Sequence, residues 1–118
     1  IDKLVVQQYL REEEYKRMRT KTLLLKGFSN SYIIRKLEQE MLETNNEEIN
    51  KIRDDQHIDA TESIDYLVHK KLRGKVIPDA FEAKMKLRNK ILNFLASKGY
   101  SYLEAKDAID RGFNSVNP

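Results

Sequence analysis

The chain has 118 residues, 40% of them hydrophobic and 35% charged, with a net charge of +3; the charged share exceeds the ~25% typical of globular domains. That length allows one compact domain or two small helical units packed together, and the charge load favours a helical protein with a large wet surface over a deep enzyme pocket. The absence of cysteine excludes disulfides, thiolate catalysis and cysteine-based zinc sites.

Cysteine-free composition makes the chain fit for a reducing cytosol and by itself fixes no compartment; a cytoplasmic protein is the expectation. The longest leucine run, Leu23-Leu24-Leu25, is far short of a membrane span, and no membrane partner is expected. The chain opens with Ile1 rather than Met, which points to a portion of a longer chain.

Four glycines and two prolines are the only strong breakers, and no stretch alternates with period two, so the fold class expected is all-α. Leu4, Val5, Gln8, Tyr9 and Glu12 start a helical pattern that continues through Tyr15, Met18 and Leu25 to Lys26. It reads as one helix over 2–26 or two joined near Glu13, stopped by Gly27 in a left-handed cap. A second helix is expected from Asn30 to about Leu42, with Ile33, Ile34, Leu37 and Met41 on its buried side. Thr44-Asn45-Asn46 reads as a break, followed by the acidic stretch Glu47 to Asp59.

A helix over about 60–72 is carried by Ile64, Leu67, Val68 and Leu72 and ends at Gly74. Pro78 marks the first turn of the next helix, about 79–98. There Phe81, Met85, Leu92 and Leu95 form one apolar stripe, widened by Leu87, Ile91 and Phe94. Gly99 ends it, and a last helix runs from Tyr102 to about Arg111.

A motif occurs twice. Lys26-Gly27-Phe28-Ser29 and Lys98-Gly99-Tyr100-Ser101 align at an offset of 72 residues, each after an apolar helix and before an amphipathic one. Lysine complements the negative end of the helix dipole, and glycine takes the left-handed cap without steric cost. Serine caps the following helix, and Ser101 and Glu104 have capping-box spacing. The aromatic staples the start of the next helix, from Phe28 toward Ile33 and from Tyr100 toward Ala105. Leu37 and Ile109 then hold equivalent buried positions.

The motif is therefore a structural turn: Gly27, Phe28, Ser29, Gly99, Tyr100, Ser101. An offset of 72 is too long for two helices per copy, so tandem three-helix repeats stacked into an elongated molecule are expected. The first unit is expected over 1–44, an acidic, partly helical connecting segment over 45–59, the second unit over 60–111, and a frayed tail over 112–118.

Charge is segregated along the chain. Residues 1–37 hold nine basic and four acidic groups, 38–66 two basic and ten acidic, and 67–98 nine basic and two acidic. Either the basic blocks serve charged partners or they pair with the acidic block across the fold. Two clusters are the candidate partner- or DNA-binding residues. One is Arg17, Arg19 and Lys21 with Lys16; the other is Lys70, Lys71, Arg73, Lys75, Lys84, Lys86, Arg88 and Lys90. Lys84 with Arg88, and Lys86 with Lys90, are like charges at i, i+4, which repel by about a few tenths of a kcal/mol on an ordinary surface.

Signals for catalysis are poor. His57 and His69 lack metal-protease spacing, and Asp54-Asp55-x-x-x-Asp59 lacks the glycine and terminal glutamate of a calcium loop. There is no P-loop, dinucleotide fingerprint or nucleophile elbow. No catalytic residue, cofactor, metal or small-molecule substrate is expected.

The doubled motif and its basic surroundings resemble the RecX family, bacterial regulators of the recombinase RecA. The resemblance rests on Leu23 to Leu37 and on Lys70 to Ile109. The latter stretch holds Lys70-Lys71, Lys86-Leu87-Arg88-Asn89-Lys90-Ile91, Phe94-Leu95 and Lys98-Gly99-Tyr100-Ser101. The acidic segment Glu43–Asp65 matches no family motif, and the family's preceding unit is absent before Ile1.

The resemblance implies a non-enzymatic protein whose partners are RecA and the RecA–DNA filament. It would enter the filament groove, bridge protomers and damp strand exchange, ATP turnover and the co-protease role in DNA repair. Direct contact with single- or double-stranded DNA is a further expectation. The rival readings are a general helical nucleic-acid binder and a helical protein–protein adaptor.

Overall fold

The computed structural model describes residues 3–116, so positions 1–2 of the expected first unit and 117–118 of the expected tail lie outside the described residues. These residues form six helices and no strand: α1 Lys3–Leu25, α2 Asn30–Gln39, α3 Asn46–Gln56, α4 Ala60–Leu72, α5 Phe81–Ser97 and α6 Tyr102–Val116. The all-α expectation holds. The chain divides into two units, one up to Ile58 and one from Asp59.

In the first unit, α1 is a single unbroken helix, but only Thr20, Leu23 and Leu24 near its end are buried. Those leucines meet Ile33, Leu37 and Ile49 in the core, with Phe28, Tyr32, Ile34, Leu42, Ile52 and Ile58 around them. Thr20 is tolerated there because its hydroxyl donates to the Lys16 carbonyl at 2.8 Å, leaving no orphaned polar group. The segment 45–59, expected as a connection, instead builds α3 and completes this unit. Asn45 caps it by accepting from the Glu48 amide at 2.8 Å, and Ile49 is wholly buried.

Helices of this unit leave through the same turn. At Gly27 (φ 87°) the Phe28 amide donates to Leu23 and the Gly27 amide to Leu24, the double bond pattern of a left-handed cap. The end of α2 repeats it with Leu42 on Leu37 and Met41 on Glu38, and the end of α3 with Ile58 on Arg53 and His57 on Asp54. There a methionine (φ 64°) and a histidine (φ 56°) occupy the left-handed position. Met41, expected to be buried on a helix reaching Leu42, is thus 91% exposed. The helix stops at Gln39, and the reversal throws Met41 outward while tucking Leu42 in.

The second unit has the larger core: Ile64, Leu67, Val68, Leu72, Ile77, Ile91, Leu95, Tyr100, Ala105, Ala108, Ile109 and Phe113. Asp59 caps α4 by accepting from the Glu62 amide. Pro78 does not open α5, which starts three residues later at Phe81. The intervening loop is anchored by buried Ile77, which keeps Pro78 outside the helix. Phe81 and Met85, expected in the buried stripe, are exposed (76% and 37%). Ile91 and Leu95 form the buried centre of α5, with Leu87, Leu92 and Phe94 packed at its edges.

The turn at Gly99 (φ 94°) matches that at Gly27, with Tyr100 on Leu95 and Gly99 on Ala96. Ser29 accepts from the Tyr32 amide and Ser101 from the Glu104 amide, both at 3.2 Å. Ser101 also donates its hydroxyl to the Glu104 carboxylate at 2.9 Å, a side-chain bond in place of the carboxylate-to-backbone bond of a capping box. Residues 112–116, expected to fray, continue α6, and Phe113 is in the core. Gly112 lets α6 approach α4 closely: a Cβ there would stand 2.6 Å from Val68 Cγ1.

Candidate functional site

The two basic clusters meet different fates. In the first unit, the bases on α1 face acids of their own unit. Arg17 pairs with Asp55 at 3.4 Å, and Arg19 with Glu40 at 3.3 Å. Lys16 pairs with Glu13 at 3.2 Å and Glu48 at 3.3 Å and donates to the Glu43 carbonyl. Burial works against the Lys16 charge, but the bonds to Glu13 and Glu48 outweigh it and raise its pKa. Burial likewise works against a charged Glu40, but the hydrogen bonds from Tyr15 and Arg19 prevail and lower its pKa. Only Lys21 of the predicted cluster stands exposed without an ion pair among the described residues.

In the second unit, Arg88 is the one predicted base with an acid partner among the described residues, Asp110 at 2.7 Å. Lys86 and Lys90 are exposed on α5, one turn apart, and Lys70, Arg73 and Lys75 are exposed at the end of α4 and in the loop after it. Lys84 is exposed, its ammonium 5.9 Å from the centre of the Phe113 ring. Lys71 is half-buried over the Phe94 ring at 4.2 Å, and Lys98 approaches the same ring at 5.8 Å.

Phe94 organises this side of the unit. Lys86, Lys90 and Phe94 follow one another at intervals of four on α5, and so share one side of the helix. Phe94 then gathers Lys71 from α4 and Lys98 from the end of α5. The ring face attracts the Lys71 ammonium without neutralising it. The result is a cationic row of Lys86, Lys90, Lys71 and Lys98, with Lys70 beside it in sequence. The sequence reading gives Lys98 only a helix-dipole role; its i+4 spacing from Phe94 is the signal that places it in the row.

Beside that row, a groove of about 400 Å³ lies between α5 and the start of α6, with Asn89, Asn93 and the exposed Tyr102 among its lining residues. Sequence reasoning missed this grouping, because it joins two helices across the Gly99 turn.

Other candidate chemistry is drawn into structural roles. Asp59 caps α4, Asp55 pairs with Arg17, and His57 forms the left-handed end of α3. Among the described residues no three His, Asp or Glu side chains converge as metal ligands, and no helix is long and apolar enough to cross a membrane. The chain matches no protein-family model, no curated protein and no solved structure.

Proposed function

We propose that this chain is a non-enzymatic cytoplasmic regulator that binds the RecA recombinase or its DNA filament and inhibits its work in recombination and DNA repair. The observation that carries the reading is the row of exposed lysines on α5. Lys86 and Lys90 have no ion pair among the described residues, and Lys71 extends the row over Phe94. Unneutralised like charges at one-turn spacing suit a polyanionic or acidic partner. A tandem three-helix repeat organisation of the RecX kind belongs to the same proposal. Its support is the local likeness of the Gly27 and Gly99 turns, with the same double backbone bond and the same serine cap; Gly27 joins the first and second helices of its unit and Gly99 the second and third, so the likeness is of the helix–turn–helix pairs α1–α2 and α5–α6.

The test is a titration of recombinase ATPase on single-stranded DNA. The wild-type chain inhibits; the Lys86→Glu/Lys90→Glu pair needs at least about tenfold more protein and weakens the salt dependence, because two neutralising charges are lost. Inhibition by the double variant at wild-type concentrations overturns the assignment. The rival reading, a general nucleic-acid binder, draws on the groove with Asn89, Asn93 and Tyr102. It predicts equal affinity for bare and recombinase-coated strands, whereas the first reading predicts much tighter binding to the coated strand.

A further inference from the structure

We propose that the groove between α5 and the start of α6 is a subsite for one unpaired base of single-stranded nucleic acid. Tyr102 is the stacking surface, Asn89 and Asn93 meet the base edge, and Lys86 and Lys90 hold the neighbouring phosphates. The inference deepens the reading of the cationic row and rests on it for the phosphate contacts, but it does not require the recombinase.

Four observations converge on the groove. First, its lining contains no charged side chain: Tyr102 and the two asparagines share it with Leu92, Ala96, Tyr100, Ser101 and Ala105, and the nearest acid placed by a bond to the lining is Glu104, on the Ser101 hydroxyl at 2.9 Å. A carboxylate entering it would meet no counterion, whereas a neutral flat group with polar edges fits. Second, its volume of about 400 Å³ lies within the ~300–1,000 Å³ of small-ligand sites. Third, Tyr102 is 65% exposed at the first position of α6, and an exposed aromatic face stacks on any base.

Fourth, the polar groups are in register. On a helix with 3.6 residues per turn, Asn89, Asn93, Lys86 and Lys90 fall within about 100° of arc, asparagines nearest the groove and lysines beyond them. Each asparagine amide both donates and accepts, so different base edges can be met. Lys86 and Lys90 stand about 6 Å apart along the axis, a spacing suited to successive phosphates. The arrangement is uncharged inside and cationic along its α5 side, with Glu104 on the α6 side, matching the base and backbone of a single strand more closely than an acidic peptide, whose charges lie on its side chains.

The experiment measures binding of the full chain to a fluorescent thymidine oligonucleotide and to an abasic strand of the same length. The wild type binds the thymidine strand of order tenfold more tightly, the size expected of one stacked base. Equal affinity for the two strands overturns the proposal and needs no variant. Tyr102→Ala reduces thymidine-strand affinity toward the abasic value, while Tyr102→Phe keeps it; circular dichroism confirms that both remain helical.

If Tyr102→Ala weakens inhibition of the recombinase without altering oligonucleotide binding, the groove holds a protein segment and the proposal is wrong. If Lys86→Glu/Lys90→Glu abolishes inhibition but the base contributes nothing, the recombinase reading survives and the subsite fails. Base-dependent binding by a chain that leaves the recombinase untouched keeps the subsite and removes the recombinase reading.

Discussion

The two units have the same number of helices and opposite electrostatic solutions. The first, through Ile58, holds eleven basic and eleven acidic residues; the second holds eleven basic and eight acidic. Folding the first brings α1 against α2 and α3, where Arg17, Arg19 and Lys16 find Asp55, Glu40 and Glu48. In the second, α5 turns Lys86 and Lys90 away from such partners. Charge segregation along a sequence thus says that pairing is possible, and only the fold decides which block is left bare. The cores differ as well, with five buried apolar residues in the first cluster and twelve in the second. The first unit relies more on polar ties, such as Arg53 Nε donating to Asn30 Oδ1 at 2.9 Å and the Asn30 amide donating to Asn50.

The largest expected effect probes the smaller core. Ile49→Ala should destabilise the first unit by about 2–5 kcal/mol, read by urea unfolding with amide exchange to locate the loss. A loss below about 0.5 kcal/mol, the usual size for a surface substitution, would mean that α3 is not part of that core. Next comes the close approach of α6 to α4 at Gly112. Gly112→Ala should cost about 1–3 kcal/mol through overpacking against Val68, and Val68→Ala in the same chain should restore part of it. Independent additive costs would show that the α4–α6 approach is looser than the structure has it.

A smaller effect of opposite sign separates the turns. Met41→Gly should stabilise the first unit by up to ~1 kcal/mol, since a non-glycine residue pays about that in the left-handed region, less the added freedom of glycine when unfolded. A lower midpoint in thermal unfolding would refute this. The smallest effect is with pH. Glu40 has its pKa lowered on folding, so its contribution is full above the ordinary glutamate value and fades as pH falls through the folded one. Glu40→Gln should flatten the acid limb of the first unit and leave that of the second unchanged.

Much of this is legible in the residues. The Gly27 and Gly99 turns can be read because glycine announces the left-handed cap, and serine and an aromatic follow it in both copies. The equivalent turns at Met41 and His57 cannot, because those side chains carry no such signal and the geometry is imposed by burial of Leu42 and Ile58. In α5, two apolar stripes overlap in the sequence. Phe81, Met85, Leu92 and Leu95 lie along one and Leu87, Ile91 and Phe94 along the other, and the core closes between them on Leu95 and Ile91, leaving Phe81 and Met85 outside. Like-charge spacing marks the lysines at 86 and 90, but it marks Lys84 and Arg88 equally, and Arg88 is taken up by Asp110. The loss of Arg17 and Arg19 to internal pairs is not legible, since their partners lie 38 and 21 residues away.

The seat of Lys71 on Phe94 has a consequence for exchange. Arg17 must let go of Asp55 before it can greet a newcomer, so every such encounter begins with a rupture. Lys71 rests on hydrocarbon and π-density instead. An anion arriving there has no carboxylate to evict, and can be taken up and released quickly while the ring keeps the side chain in place.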